Sequence, residues 1–272
     1  MVEIRKVSVV SIVEKGMRFY LTALKSFAYQ SYQNVEWLII DNTGTALLQK
    51  RLQKYIVKDQ RIRVVTNENP LMRALVLKQA FDLCRGDYVA FLNPADFWVK
   101  DKLSRQTGFM MRYHAPLCHT SYAFADDKYH LLPVGCYHVE KDLSMVNYTK
   151  KNPISLSTLM VSKDVFLDFS KFEYSPENDE MMFFLKSGIV SSGMSDVLTL
   201  CRPVFDPQTR QKIEEMVAGV SQENPNAEII TARILEHHMH SALNIEGLKL
   251  DPSICIGYDV IMSLTKLKNF KM

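Results

Sequence analysis

Residues Arg85 to Trp98 read RGDYVAFLNPADFW. The run Tyr88 to Leu92 is apolar without alternation, as expected of a short strand buried on both faces. It stops on a polar loop, Asn93-Pro94-Ala95-Asp96, and resumes with Phe97-Trp98. Open α/β sheets bind ligands just beyond the carboxyl ends of their strands. An amide and an acid at such an end therefore mark Asn93 to Asp96 as a candidate site.

Upstream, the same punctuation recurs. Lys6 to Val13 is a β-branched apolar run, Val35 to Ile40 a second, and Arg61 to Val65 a short third. Between them lie segments with helical spacing. Met17 to Gln30 carries Phe19, Tyr20, Ala23, Leu24 and Phe27, and Thr45 to Tyr55 is the second. Met72 to Cys84 is the third, with Gly86 read as its C-cap. The order β-α-β-α-β-α-β implies a parallel sheet with helices on both faces. Val13-Glu14, Asp41-Asn42 and Asn93-Asp96 then converge on one edge, which argues for one polar site.

Downstream the pattern loosens. Asp101 to Arg112 predicts a helix, and Cys118 to Tyr148 short antiparallel strands. Asn152 to Val161 is strand-like, Lys163 to Phe169 predicts a short helix, and Asn178 to Ser187 another. Residues 207–222, 227–243 and 253–270 read as three helices separated by turns at Asn224-Pro225 and Asp251-Pro252. The expected organisation is one domain over residues 1–204 and a helical C-terminal extension over 205–272.

Composition narrows the function. With 47% hydrophobic and 23% charged residues, the 272-residue chain is an ordinary globule. A net charge of +3 argues against a nucleic-acid partner, which needs a basic stripe. No apolar run is long enough to span a bilayer, and the N-terminus is too charged for a secretory signal. Five scattered cysteines without a CxxC pattern point to reduced thiols in a cytoplasmic protein. In the cluster His237, His238 and His240, the His-x-His spacing of His238 and His240 does not place both rings on one helix face, so the cluster makes a poor metal set. There is no glycine-rich phosphate loop of GxGxxG or Walker type.

In register, these segments resemble the family 2 glycosyltransferases, inverting enzymes of GT-A fold, over roughly Val7 to Arg202. VSVVSIVEKGMRFYLTALKSFAYQSYQNVEWLIIDNTGT is similar to the family's first strand, helix, NQTY.N.E turn and second strand, with Gln30, Ser31, Tyr32, Asn34 and Glu36 keeping the turn. RGDYVAFLNPADFW is similar to the strand ending in LDADDxW, and residues 152–187 to the acceptor half. The resemblance implies a GT-A type nucleotide-sugar-binding domain, a mostly parallel twisted sheet flanked by helices. It also implies transfer of a sugar from a nucleotide-diphosphate donor (UDP or GDP type) to a hydroxyl acceptor with inversion. The acceptor would be a glycan or lipid-linked glycan of surface-polysaccharide type.

It assigns residues as well. Asp41 would contact the base or ribose, where a carboxylate accepts from a base N–H or a ribose hydroxyl. Val13 and Glu14, standing where the family has Pro-x-Tyr-Asn, are nucleotide-sugar candidates from their place at the end of the first strand. Asn93, Ala95 and Asp96 would lie at the diphosphate. Asp179, in the place of the family's Glu-Asp pair (here Asn178-Asp179), would be the general base, with Glu180 as the next candidate. The family's Asp-x-Asp acids hold Mg²⁺ or Mn²⁺ against the diphosphate. Here Asn93 offers one neutral oxygen and Ala95 none, which leaves Asp96 as the metal ligand. Further departures are Leu77-Lys78 in place of Arg-Asn, and Cys201-Arg202-Pro203-Val204 in place of Tyr-Arg-x-His. Three readings stay open: a metal-independent transferase, one with a rebuilt metal site, and a pseudoenzyme that binds or scaffolds. Lys15, Arg18, Arg73, Lys78 and Arg202 are candidate replacement cations. The C-terminal helices would pack on the domain, form a homo-oligomer face, or touch the inner face of the membrane through Lys266, Lys268 and Lys271.

Overall fold

The structure is a computed structural model that describes residues 4–17, 19, 21–125, 131–137, 141–145, 148, 154–173, 179–202 and 215. The three expected helices of 205–272 and the boundary at 204 lie outside the described residues, apart from Glu215, as do Arg18 and Asn178.

The first half alternates as expected: β1 (Val7–Glu14), α1 (Leu21–Ala28), β2 (Val35–Asn42), α2 (Leu47–Lys58), β3 (Ile62–Thr66), α3 (Arg73–Leu83) and β4 (Tyr88–Phe91). β1 pairs in parallel with both β2 and β4, and β2 with β3. The second half adds β5 (Phe97–Trp98), α4 (Lys102–Tyr113), β6 (Leu117–Ala125), β7 (Leu131–Tyr137), β8 (Asp142–Leu143), β9 (Met160–Ser162), α5 (Glu180–Lys186) and β10 (Ser191–Cys201). The sheet order is β3-β2-β1-β4-β9-β6-β10-β5. β9 runs antiparallel to β4 and β6, and β10 runs parallel to β6.

Side chains on a strand alternate between faces, and here each face has its own core. Val7, Val9, Val13, Trp37 and Ile39 pack with α1, α2 and α4. Val10, Ile12, Leu38 and Ile40 pack with α3 and α5. The unbroken apolar runs of β1 and β2 reflect this double burial. Cys84, Cys118 and Cys201 are free and buried, and burial pushes the Cys84 and Cys118 thiols up to about 12.

The QSYxNxE turn is a structural latch. Gln30 Nε2 donates to Val99 O at 2.8 Å and its Oε1 accepts the Leu103 N–H at 3.1 Å, tying α1 to α4. The Tyr32 hydroxyl donates to Arg5 O, and Asn34 Nδ2 donates to Ile4 O at 3.0 Å. Glu36 Oε1 accepts from the Ser8 hydroxyl and the Arg85 N–H, both at 2.7 Å. Burial pushes Glu36 upward, but those two donors and the nearby Lys6 and Arg63 charges outweigh it, and the carboxyl ends below its usual value.

Several expected boundaries change. α1 begins at Leu21 rather than Met17, because Gly16 has φ +88 and the Met17 N–H closes a turn on Glu14 O. Gly86 is not a C-cap. α3 ends on Cys84 in extended conformation, and Gly86 is required because a Cβ there would lie 2.6 Å from Ser8 N and 2.8 Å from Lys6 O. The helix expected over Lys163 to Phe169 is instead a 3-10 turn at Phe169–Lys171, capped by Asp168. The strand-like stretch Asn152 to Val161 contains a 3-10 turn, Leu156–Thr158, before β9.

Candidate active site

The C-terminal edge of the sheet carries a transverse row. Val13 is in register with Asp41, Asp41 with Thr66, and Glu14 with Asn42. Asn42 anchors the loop behind this row: its Nδ2 donates to Leu71 O at 2.9 Å, and its Oδ1 accepts the Leu71 N–H at 2.8 Å and Asn67 Nδ2 at 3.1 Å. Asp41 is wholly buried. Its Oδ1 accepts the Thr43 N–H at 3.1 Å and the Thr43 hydroxyl at 2.7 Å, while its Oδ2 is buried without a hydrogen-bond partner. A carboxylate oxygen in that state is costly, and a ligand N–H or hydroxyl reaching it would relieve the cost.

A cleft of about 440 Å³ opens at this edge, between the β1–α1 and β2–α2 loops. Val13, Glu14, Thr43 and Thr45 line it, with Phe19 and Leu48 beneath and Lys15 and Arg51 as its cations. Val13 and Thr43 are the register and hydrogen-bond partners of Asp41, so the cleft adjoins that carboxylate. A second cleft of about 410 Å³, lined by Arg5, Asp87, Tyr88, His114 and Asp164 among others, includes none of the expected site residues.

The loop after β4 is stitched internally. Asn93 Oδ1 accepts the Ala95 N–H at 3.0 Å, and the Asp96 N–H closes on Asn93 O at 2.9 Å. Asp96 is buried, with Oδ2 accepting from Ser157 Oγ at 2.6 Å and Oδ1 accepting the Arg202 N–H at 2.9 Å. Burial pushes the Asp96 carboxyl up to about 6, against the pull of both hydrogen bonds and the Arg202 charge. The Ser157 carbonyl accepts from Trp98 Nε1 at 2.8 Å and from Thr199 Oγ1 at 3.1 Å, so the turn at Leu156–Thr158 joins this loop to β10.

This donor set does not fit a divalent cation. Such an ion takes oxygen ligands, usually with at least one carboxylate. Here the Asn93 oxygen accepts a backbone N–H, Ala95 offers nothing, and both Asp96 oxygens serve internal donors. Among the described residues no group of three or more His, Cys, Asp and Glu could hold a metal.

Asp179 is the N-cap of α5, its Oδ1 accepting the Met182 N–H at 2.8 Å. The Tyr148 phenol lies near it; burial raises that group, and the Asp179 carboxylate raises it further. Glu180, the next residue, is buried and bound to Arg73, whose Nε stands 2.6 Å from Glu180 Oε1. Arg73 also reaches Glu14 Oε1 at 3.5 Å.

The sequence-predicted residues thus fall into two groups. Val13, Glu14 and Asp41 sit together at the ends of β1 and β2, and Arg73 links Glu14 to the residue beside Asp179. Asn93, Ala95 and Asp96 form a loop whose acid points inward. Among the candidate cations, Lys15 lines the cleft, Lys78 pairs with Asp82 on the outer side of α3, and Arg202 is buried with Nη2 donating to Thr22 Oγ1 at 3.3 Å. Sequence reasoning missed Thr43, Arg51, Ser157 and Tyr148. Thr43, Ser157 and Tyr148 stand in no charge cluster, and Arg51 looks in sequence like one more cation on the basic face of α2, beside Lys50 and Lys54.

An open sheet with acids and amides along the carboxyl edge defines an α/β domain of the kind that takes ligands at that edge. Its solved counterparts include S. aureus TarS in complex with UDP-GlcNAc, with a TM-score of 0.57 at 16% identity, covering 87% of this chain and 73% of that one. That likeness is one of fold, the GT-A type expected above. The chain belongs to glycosyl transferase family 2, whose model matches residues 19–162. It is 28% identical over 202 residues to a Bacillus subtilis (strain 168) protein named as a teichuronic acid biosynthesis glycosyltransferase, TuaG, covering 73% of this chain and 79% of that one. An uncharacterized glycosyltransferase of Haemophilus influenzae is 27% identical over 161 residues, 58% of this chain; the match spans 62% of that relative's length.

Proposed function

We propose that this chain transfers a sugar from a nucleotide-diphosphate donor of UDP or GDP type to a hydroxyl acceptor, with inversion and without a resident divalent cation. The observation that carries this is the row Val13–Asp41 beside a cationic cleft, tied through Glu14, Arg73 and Glu180 to the helix that Asp179 caps. The base or ribose of the donor would lie against Asp41, whose buried Oδ2 has no hydrogen-bond partner. Lys15 and Arg51 line the same cleft and would balance the diphosphate charge, as basic side chains can do without metal.

In the reaction the acceptor oxygen forms a bond to the anomeric carbon as the bond to the donor phosphate breaks. The acceptor proton goes to the Asp179 carboxylate, and the electron pair of the broken bond leaves with the nucleotide diphosphate. Attack from the face opposite the leaving group inverts the anomeric centre. Glu180 is the weaker base candidate, because its carboxylate is buried against Arg73.

The acceptor would be a glycan or lipid-linked glycan of surface-polysaccharide type, a class supported by the relative named for teichuronic acid biosynthesis. Work at the inner, cytoplasmic face of a membrane belongs to the same proposal. Among the described residues no helix is long and apolar enough to cross one. The internal stitching of Asp96 and Asn93 favours a second reading, a non-catalytic binding or scaffold protein.

Nucleotide release decides between them. Purified chain is incubated with UDP- and GDP-sugars and a lipid-diphosphate glycan acceptor in EDTA. Acceptor-dependent release of nucleotide diphosphate that Asp179→Asn lowers at least about 100-fold is expected. Donor binding with no release in wild type or variant would support the scaffold.

A further inference from the structure

Three charged side chains far apart in sequence meet where the two halves of the domain face each other. Glu14 closes β1, Arg73 is the first residue of α3, and Glu180 is the first residue of α5. Arg73 Nε lies 2.6 Å from Glu180 Oε1, and its Nη1 lies 3.5 Å from Glu14 Oε1. The Arg73 and Glu180 side chains are 13% and 6% exposed, and the Glu14 side chain 38%. A buried carboxylate is costly to leave without a partner, and Arg73 supplies one to Glu180. α5 is also short, seven residues, and a helix of that length does not hold its place alone. Its apolar residues Met181, Phe183, Phe184 and Leu185 fix its body in the core. Its first turn, which carries Asp179, is fixed by the Asp179 cap and by Arg73.

We propose that Arg73 is a positioning residue for Asp179. By binding Glu180 and reaching Glu14, its guanidinium holds the first turn of α5 against the end of β1 and cancels the Glu180 charge beside Asp179. Asp179 is thereby left as the acid that takes the acceptor proton, a role that rests on the function proposed above. The described groups near Asp179 include Glu180 on its own helix, the Tyr148 phenol, and Arg73 from α3 acting through Glu180, with Glu14 behind Arg73.

The arrangement has an electrostatic signature that a purely structural link lacks. Removing the Arg73 charge leaves Glu180 uncompensated and disfavours a charged Asp179. Removing the Glu180 charge does the opposite. The test is a carbon-13 NMR titration of the Asp179 carboxyl in the full chain, with the signal assigned by its loss in Asp179→Asn. Arg73→Gln should raise the Asp179 midpoint by about one pH unit, and Glu180→Gln should lower it by a similar amount. The double variant should return close to wild type, and Arg73→Lys should shift less than Arg73→Gln. Single variants that shift in the same direction, or not at all, overturn the proposal. If Arg73→Gln does not fold, Glu180→Gln still decides, since an unmoved midpoint in that variant overturns it. Kinetics then separates this inference from the function it rests on. The acid limb of kcat should move with the NMR midpoint while the donor KM stays within about twofold. A shifted midpoint with an unmoved acid limb would remove Asp179 as the base while upholding the hold of Arg73 on it.

Discussion

Ser157 Oγ donates to Asp96 Oδ2 at 2.6 Å and accepts the Asn93 N–H at 2.9 Å. One hydroxyl therefore closes the loop after β4 onto the 3-10 turn that precedes β9. The loop expected from the sequence resemblance to stand at the metal-binding acids is held here as an internal joint. Removing that hydroxyl leaves a buried carboxylate oxygen and a backbone N–H without partners, so Ser157→Ala should cost about 2–3 kcal/mol. Urea unfolding measures it, and a loss below about 0.5 kcal/mol would show the joint to be dispensable.

The Asp96 carboxyl, raised to about 6 by burial, also predicts a pH dependence. Its folded value lies above its unfolded one, so between the two the native chain binds more protons than the unfolded chain. The contribution is full below about pH 4 and is lost as pH rises through about 6. Relative to Asp96→Asn, which keeps hydrogen bonds to both neighbours if the Ser157 hydroxyl turns, wild type should lose about 3 kcal/mol across that window. Parallel stability curves for the two proteins would show that Asp96 is not buried in this way.

Lys102 predicts the opposite slope. Its side chain is fully buried, with Nζ 4.5 Å from the Trp98 ring centroid and donating to Gln106 Oε1. Burial pushes it down to about 7. The unfolded lysine binds its proton more tightly, so wild-type stability should rise with pH from about 7 towards 10. Lys102→Met, similar in volume and apolar, should remove that rise and stabilise the chain at pH 7 by roughly 3 kcal/mol. Thermal melts of both proteins at pH 7 and pH 9.5 give the answer, and a destabilised Lys102→Met would contradict it.

Gly86 tests the latch between β1 and β4. An added methyl would meet Ser8 N at 2.6 Å, Lys6 O at 2.8 Å and Ser8 Oγ at 2.9 Å. Two of these are backbone atoms, Ser8 N in β1 and Lys6 O just before it, and cannot turn aside. Gly86→Ala should destabilise by about 1–3 kcal/mol, read as a lower urea midpoint at unchanged slope. A neutral substitution would mean that β1 shifts freely there.

Asp179 combines a helix cap with the proposed base, and the two uses separate chemically. Asn caps a helix as well as Asp does, whereas Ala does not cap. Asp179→Asn should therefore keep wild-type stability, and Asp179→Ala should lose about 1 kcal/mol, while both lose turnover. Equal stability of the two variants would deny the cap, and turnover surviving in Asp179→Asn would deny the base.

Much of the fold was legible because doubly buried strands write themselves as unbroken apolar runs. Val7–Glu14, Val35–Asn42 and Tyr88–Phe91 all fall where such runs predict them. Their polar endings put Glu14 and Asp41 on one edge, where the pairing of β1 with β2 holds them. Gly86 was misread because C-cap glycines and glycines of close approach look alike in sequence; the difference lies in Ser8, 78 residues away. Ser157 and the Arg73–Glu180 pair were hidden for the same reason. Their meaning comes from partners 61 and 107 residues distant, and no local spacing encodes them. The inward turn of Asp96 is set in part by the Arg202 N–H, 106 residues on, a partner that no local spacing around Asp96 announces.

The most direct test of the central claim is calorimetric titration of the full chain with UDP and GDP, once with Mn²⁺ and once with EDTA, in wild type and Asp41→Ala. Binding of at least one nucleotide that is unchanged by EDTA and lost in Asp41→Ala is the predicted result. Binding that appears only with Mn²⁺ would mean that the loop at Asn93–Asp96 opens to hold a metal. Absence of binding under both conditions would contradict a nucleotide-sugar site at the ends of β1 and β2.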